Sequence, residues 1–268
     1  MPDQVVPALP AVFISYGSPI VAIEQDDYTE ALRSLGERYP DAAALVVVSA
    51  HWEEPRPLRV TAWERREIIH DFGGFPVALY NLDYAAPGAP GLASRVAVAL
   101  RGAGFEVTLD DDRGLDHGAW VPLRLAWPAA AIPVLEVSLP VPRTPQQLFD
   151  LGRALRPLRR RGVLLIGSGG VVHNLRRVRF ADEFAPADGW AVAFDQWVSE
   201  RIVAGEWQAL LSYRSLAPHA PLAVPTTEHF DPLFMVLGAA FDGDRAKTIY
   251  AGFRYGNLSM RSFALGDS

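Results

Sequence analysis

Two stretches of the chain are apolar almost without interruption, residues 44–50 (ALVVVSA) and residues 164–168 (LLIGS). Short β-branched or aliphatic runs of this kind read as strands covered on both faces, as inside a parallel sheet. Each run gives way to polar residues at its carboxyl end, where open α/β sheets build their sites. The first ends in Ser49-Ala50-His51-Trp52, the second in Gly169 and Gly170 leading to Val171-Val172-His173-Asn174. Residues 11–15 (AVFIS) form a third, shorter run; Gly17 and Pro19 mark a tight turn after it, which displays Tyr16 at a strand end. Further strands are predicted at residues 58–62, 105–109, 132–139 (with alternating pattern), 247–252 and 258–265.

Helical spacing lies between these runs. Residues 27–38 place Leu32 and Leu35 on one face and stop at Tyr39-Pro40. Residues 91–101, 187–203, 206–213 and 231–240 are predicted helices as well. Residues 144–156 are amphipathic, with Thr144 as N-cap and Pro145 at the first helical position. The basic run Arg159-Arg160-Arg161 at its end suits a helix C-terminus, where cations meet the negative end of the dipole. Residues 69–80 (IHDFGGFPVALY) read as a loop rich in glycine and aromatics. The alternation of strands and helices predicts an α/β fold: a three-layer α/β/α domain around a central sheet. The sheet is expected to be mixed, because residues 58–62 and the final strands have no helix before them. A chain of 268 residues, half of them hydrophobic, suits one large domain over 1–268.

Composition narrows the function. There is no cysteine, so disulfides and thiolate metal sites are excluded and a metal would have to use His, Asp, Glu or Tyr. The net charge of -6 is mild and mixed along the chain, with Lys247 the single lysine; a nucleic-acid footprint would require clustered positive charge. No apolar run approaches the ~20 residues of a membrane helix, and the N-terminal segment lacks the features of a signal peptide. The expectation is a cytoplasmic protein that binds neither nucleic acid nor membrane, of open oligomeric state.

Six histidines remain as candidate chemistry: His51, His70, His117, His173, His219 and His229. No pair has zincin spacing, none flanks a nucleophile elbow, and Gly167-Ser168-Gly169-Gly170 lacks the Lys-Ser/Thr of a phosphate loop. Five of them sit among small residues, turn formers or aromatics, a composition suited to a pocket. His219, in Ala217-Pro218-His219-Ala220-Pro221, has no such company and reads as a loop histidine.

In order along the chain, the segments SAHW, IHDFGGFP, DHGAW, VVHNL and EHFDPL resemble the class III extradiol ring-cleavage dioxygenases of the LigB type, in particular their 4,5-DOPA extradiol branch. The resemblance implies a non-haem Fe(II) site, in which zinc is often found, and a catechol substrate cleaved with O2. It implies metal ligation by His51 and His229, with His173 as a further ligand or an acid–base group. His117 is implied to act over the substrate. One family ligand is the histidine of a His-Gly-Ser-Pro turn, and here Tyr16 stands at that position. Three readings of Tyr16 stay open: a phenolate ligand, a bystander to a site held by His51, His229 and His173, or an introduced substitution in an otherwise active enzyme. A packed aromatic in a chain that has lost its metal is the bland alternative.

Catechol chelation through both oxygens requires the protein to occupy one side of the metal only. A base must take a phenolic proton and an acid must deliver one as the O–O bond breaks, roles that histidine can fill. We assign proton abstraction to His173 and the acid or oxygen-side role to His117. His70, Phe72, Phe75 and Trp120 are the expected contacts to the ring, and Asn174 and Glu228 the expected orienting partners of the histidines. The rival function is a dioxygenase-fold protein that binds small aromatics without oxygenase activity.

Overall fold

The computed structural model describes residues 8–266; the first seven residues, part of the N-terminal segment read above, lie outside them. Eight strands form one sheet: β1 (Ala11–Ser15), β2 (Ala44–Pro55), β3 (Leu58–Thr61), β4 (Val107–Asp110), β5 (Val134–Val141), β6 (Val163–Gly169), β7 (Ala246–Tyr250) and β10 (Ser262–Leu265), with a short ladder of β8 (Phe253–Arg254) and β9 (Leu258–Ser259) beside it. The order is β4-β3-β5-β2-β6-β1-β10-β7. Its centre, β5-β2-β6-β1, is parallel, while β3 meets β5 and β10 meets β1 antiparallel. The sheet is therefore mixed, as the missing helices before the flanking strands imply.

Both faces are covered, and the strands show why their central runs are apolar throughout. In β2 the side chains of Ala44, Val46 and Val48 enter one core and those of Leu45 and Val47 the other. The first core packs α3 (Pro90–Gly102), α5 (Pro145–Leu155), α6 (Gly189–Ala204) and α10 (Pro232–Gly238); the second packs α1 (Asp27–Arg38) and α4 (His117–Ala126). A strand whose successive side chains point to opposite faces, both dry, favours apolar residues at nearly every position. Thr144 caps α5 in a reciprocal box with Gln147, as its sequence predicts.

Several segments depart from the sequence-based expectation, among them residues 258–265, predicted as one strand, which divide into β9, paired with β8, and β10 in the main sheet. The glycine-rich loop 69–80 ends in a short helix, α2 (Val77–Tyr80), and the predicted helix 206–213 divides into α7 (Trp207–Leu211) and α8 (Tyr213–Leu216), followed by α9 (Ala220–Ala223). β2 runs past His51 to Pro55 through a register shift against β5 between Val48 and Glu53. Irregularities of this kind bend a strand and re-aim its side chains. Among the described residues no helix is long and apolar enough to cross a membrane.

Candidate active site

Strand register brings the candidate residues to one edge. Ser15 lies opposite Gly169 across β1 and β6, and Ser49 opposite Ser168 across β2 and β6, so Tyr16, His51 and the loop carrying His173 all leave the sheet at the same end. Two glycines permit the close approach that completes the cluster. A Cβ on Gly118 would lie 2.5 Å from Ser49 Oγ and 3.0 Å from His51 Cδ2, and one on Gly169 would lie 2.1 Å from the His229 carbonyl oxygen. Any larger residue at either position would push His117 away from His51, or His229 away from the strand end. Asp116, fully buried, caps α4 through the Ala119 amide and accepts a 2.6 Å hydrogen bond from Ser49 Oγ. It thereby ties the first turn of α4, where His117 stands, to the strand that carries His51.

The side chains converge on the Tyr16 hydroxyl. His51 Nε2 lies 2.5 Å from it and His229 Nε2 2.8 Å. His51 and His117 have ring centroids 3.9 Å apart, and the Tyr16 ring meets His117 edge-on at 5.5 Å. Asp71 Oδ1 accepts from both the backbone N–H (3.0 Å) and Nδ1 (2.8 Å) of His117, and Asp71 Oδ2 stands 3.6 Å from His51 Nδ1. Glu228 Oε1 stands 3.0 Å from His229 Nδ1. His173 stacks flat on His229, centroids 3.6 Å apart at an interplanar angle of 7°.

Electrostatics assign the protons. Burial would raise the Asp71 and Glu228 carboxyls, yet hydrogen bonds from His117 and from His229 and Thr226, respectively, outweigh it and hold each at about 2. Both are carboxylates at neutral pH and accept only, so in the neutral rings the proton sits on Nδ1 of His117 and of His229. The Nε2 lone pair of His229 then faces the Tyr16 oxygen, and His117 lines the cavity beside it. Burial, with the neighbouring His117 second, pushes His51 down to about 4, and burial holds His173 well below the usual imidazole range. Burial and the charges of Asp116, Asp71 and Glu228 keep Tyr16 a neutral phenol.

These donors suit a divalent transition metal: imidazole nitrogens from two sides, a phenol oxygen between them, and carboxylates behind the rings. His51, Asp71 and His117 also form a group whose ligand atoms lie within 4.8 Å of one another. Imidazole lone pairs lie in the ring plane, so the parallel rings of His173 and His229 are poorly placed to address the same ion.

The cavity above this floor is lined by Tyr16, Gly17–Ile20, His51, residues 72–75, His117, His173, Leu175, Phe180, His229 and Tyr255. Phe72 and Phe75 reach it as expected. Trp120 does not: its indole is fully buried and donates to the Ile69 carbonyl, one layer behind Phe72. His70 stands in the same back layer, its ring against Phe72 and Trp120. Glu228 orients His229, whereas Asn174 ties Leu222 and Arg176 and holds a loop instead of a ring. His219 stands at the start of α9, away from the cluster. Asp71, the residue that orders His117, escapes the sequence reading, which stops at its neighbour His70; a carboxylate beside a glycine-aromatic loop was the signal available.

Residues 10–265 match the family described as the catalytic LigB subunit of aromatic ring-opening dioxygenase. The chain belongs to the LigB family. It is an aromatic ring-opening dioxygenase, an oxidoreductase, by that membership. It is 41% identical over 265 residues to the 4,5-DOPA dioxygenase extradiol of Escherichia coli (strain K12), covering 96% of this chain and 95% of that one. With the 4,5-DOPA dioxygenase extradiol of Beta vulgaris it shares 40% identity over 94% of both. The crystal structure of an uncharacterized protein from Escherichia coli K12 superposes with a TM-score of 0.80 at 34% identity, covering 96% of this chain and 99% of the other. That structure shares this fold along nearly the whole chain.

Proposed function

We propose that the chain catalyses metal-dependent extradiol cleavage of a catechol-type, DOPA-like ring with O2. The observation that carries this reading is the convergence of Tyr16, His51 and His229 at the floor of an apolar cavity, with the His117–Asp71 pair beside them. His51 and His229 would hold the metal, with Tyr16 at the position of the family's first histidine and His173 alongside. Fe(II) is the ion this reading requires: held by His51 and His229, it would supply the redox chemistry that O2 activation needs, which Zn(II) lacks.

The residues of the chain perform the remaining work. Phe72, edge-on to His117 at 5.6 Å, positions the ring by its face. His173, neutral and stacked beside His229, accepts a phenolic proton at a ring nitrogen. His117 offers Nε2 toward the cavity while Asp71 fixes its Nδ1 proton, so it can hold a proton on the oxygen side and return it. The aromatic walls exclude water from the reacting ring. His117→Ala or His173→Ala with unimpaired ring cleavage would remove these two roles.

The test is oxygen uptake with catechol and L-DOPA after anaerobic Fe(II) loading, on this chain and on Tyr16→His. Uptake by both means that Tyr16 is accommodated; uptake by Tyr16→His alone means that the phenol disables an otherwise competent site. Absence of uptake in both overturns the reading. One observation favours the rival: the Tyr16 hydroxyl sits between His51 Nε2 and His229 Nε2 at hydrogen-bond distance, where it can satisfy the rings without a metal. A chain that binds catechols but neither Fe nor Zn would be that binding protein.

A further inference from the structure

The cavity over the histidines has a volume of about 590 Å³, within the roughly 300–1,000 Å³ of pockets that hold whole drug-sized ligands. A bare catechol fills only the floor. Two apolar banks line the space above it, that of Ile20, Phe72 and Phe75, packed on the second core, and that of Leu175, Phe180 and Tyr255. The rings continue one another outward: Phe72 contacts His117 at 5.6 Å, Phe75 contacts Phe72 at 5.4 Å, and Phe180 faces Tyr255 at 5.9 Å. At the mouth Phe180 and Leu175 remain 66% and 54% exposed, large apolar surface adjoining the reactive floor and suited to cover by a ligand.

Charge points the same way. None of the described residues lining the cavity is Lys or Arg. Arg179, next to Phe180, is engaged by Asp188 and the Pro186 carbonyl, and Arg254, next to Tyr255, by Glu24, Asp26 and Glu183. The carboxylates of Asp71 and Glu228 stand behind the floor histidines. Inside the cavity a zwitterionic amino-acid substituent would lose water without gaining an ionic partner from a lining residue, at a cost in binding; Arg176 and Arg177, which follow Leu175, are exposed and lie outside the lining. An uncharged apolar group would gain contact on both banks.

We propose that the preferred substrates are catechols bearing an uncharged alkyl or aryl ring substituent, seated between the Phe72–Phe75 bank and the Leu175–Phe180 bank, in preference to the charged side chain of DOPA. This rests on the ring-cleavage reading above and specifies its substrate class. The Fe(II)-loaded chain is assayed by oxygen uptake with phenylcatechol (phenyl para to one hydroxyl) and with L-DOPA. The expected kcat/KM favours phenylcatechol by about tenfold or more, the range a hydrophobic pocket achieves for a group it encloses. Phe180→Ser and Leu175→Ser, both at an exposed rim, are expected to narrow that ratio, raising KM for phenylcatechol more than they lower kcat. Equal or better use of L-DOPA overturns the inference and leaves ring cleavage standing. Anaerobic calorimetry with the same two ligands separates the remaining outcomes. Selective binding of phenylcatechol without oxygen uptake supports the substrate class and removes the oxygenase reading; binding without selectivity, or none to either ligand, overturns the substrate class.

Discussion

Two buried polar clusters stand at opposite ends of the central strands, and they behave as opposites. At the carboxyl end, Tyr16, His51, His117 and His229 face one another and a cavity. At the amino end, the fully buried Arg159 donates to the carbonyls of Leu9, Ala239 and Leu265 and to Asp244, with Phe241 against its guanidinium. Its donors are taken up by the protein itself, and the cluster ties β1, β10 and the end of α10 together. In the histidine cluster, carboxylates hold the outer ring nitrogens while the inner ones point at a tyrosine oxygen and open space. A buried charge whose bonds all close within the fold is a clamp; a set whose lone pairs converge on a cavity is a site.

The largest expected effect breaks the clamp. Arg159→Met strands Asp244 and three carbonyls, and unfolding in urea should show a loss of about 3–5 kcal/mol, with turnover per folded molecule unchanged. Loss of turnover without loss of stability would show that the two ends are not separate. The converse change, Asp71→Asn, frees the His117 tautomer and should lower turnover of the Fe(II)-loaded chain by about 10–100-fold. Its stability should move by no more than about 1 kcal/mol, since one acceptor oxygen persists.

Beneath the site, Glu136 is fully buried on β5, and burial first, then the charge of Asp116, pushes its carboxyl well above the usual range. The folded chain keeps this proton where the unfolded chain releases it, above about pH 4.3. Stability from this group is therefore complete below that pH and declines as pH rises, by up to about 1.4 kcal/mol per pH unit. The Glu136→Gln variant has no proton to lose. Its stability relative to the unaltered chain should therefore rise steadily as urea midpoints are followed from about pH 5 to about pH 8. A pH-independent difference would mean that Glu136 titrates normally. The smallest effect separates place from exposure. Thr144 follows β5 at the same end as the histidines but only caps α5; Thr144→Ala should cost about 1 kcal/mol and leave turnover intact.

The dry central strands, the capped helix at Thr144, the mixed sheet and the histidine motifs were legible because each is a local matter: side-chain period, turn chemistry, residue type. Even Arg159-Arg160-Arg161 reads correctly as structural, although the dipole at a helix end describes its neighbours better than Arg159, whose role depends on carbonyls 80 or more residues away. Asp71 is not distinguishable from its neighbour His70 by local pattern, because adjacent loop residues differ in role only once the loop is folded against α4. Trp120 reads as a pocket aromatic for the same reason; the helix that begins at His117 turns it inward.

Residue identity alone therefore determined that the chain carries a set of histidines in pocket-forming segments of an α/β sheet, with Tyr16 at the end of its first strand. Only the tertiary structure decided what that tyrosine touches, which carboxylates hold which ring nitrogens, that His173 lies flat on His229, and that the mouth is apolar. Composition and period report what each residue prefers within a few positions of itself. Convergence of side chains from β1, β2, α4 and the segments after β6 and before α10 depends on register and on the close approaches at Gly118 and Gly169, which no local pattern encodes.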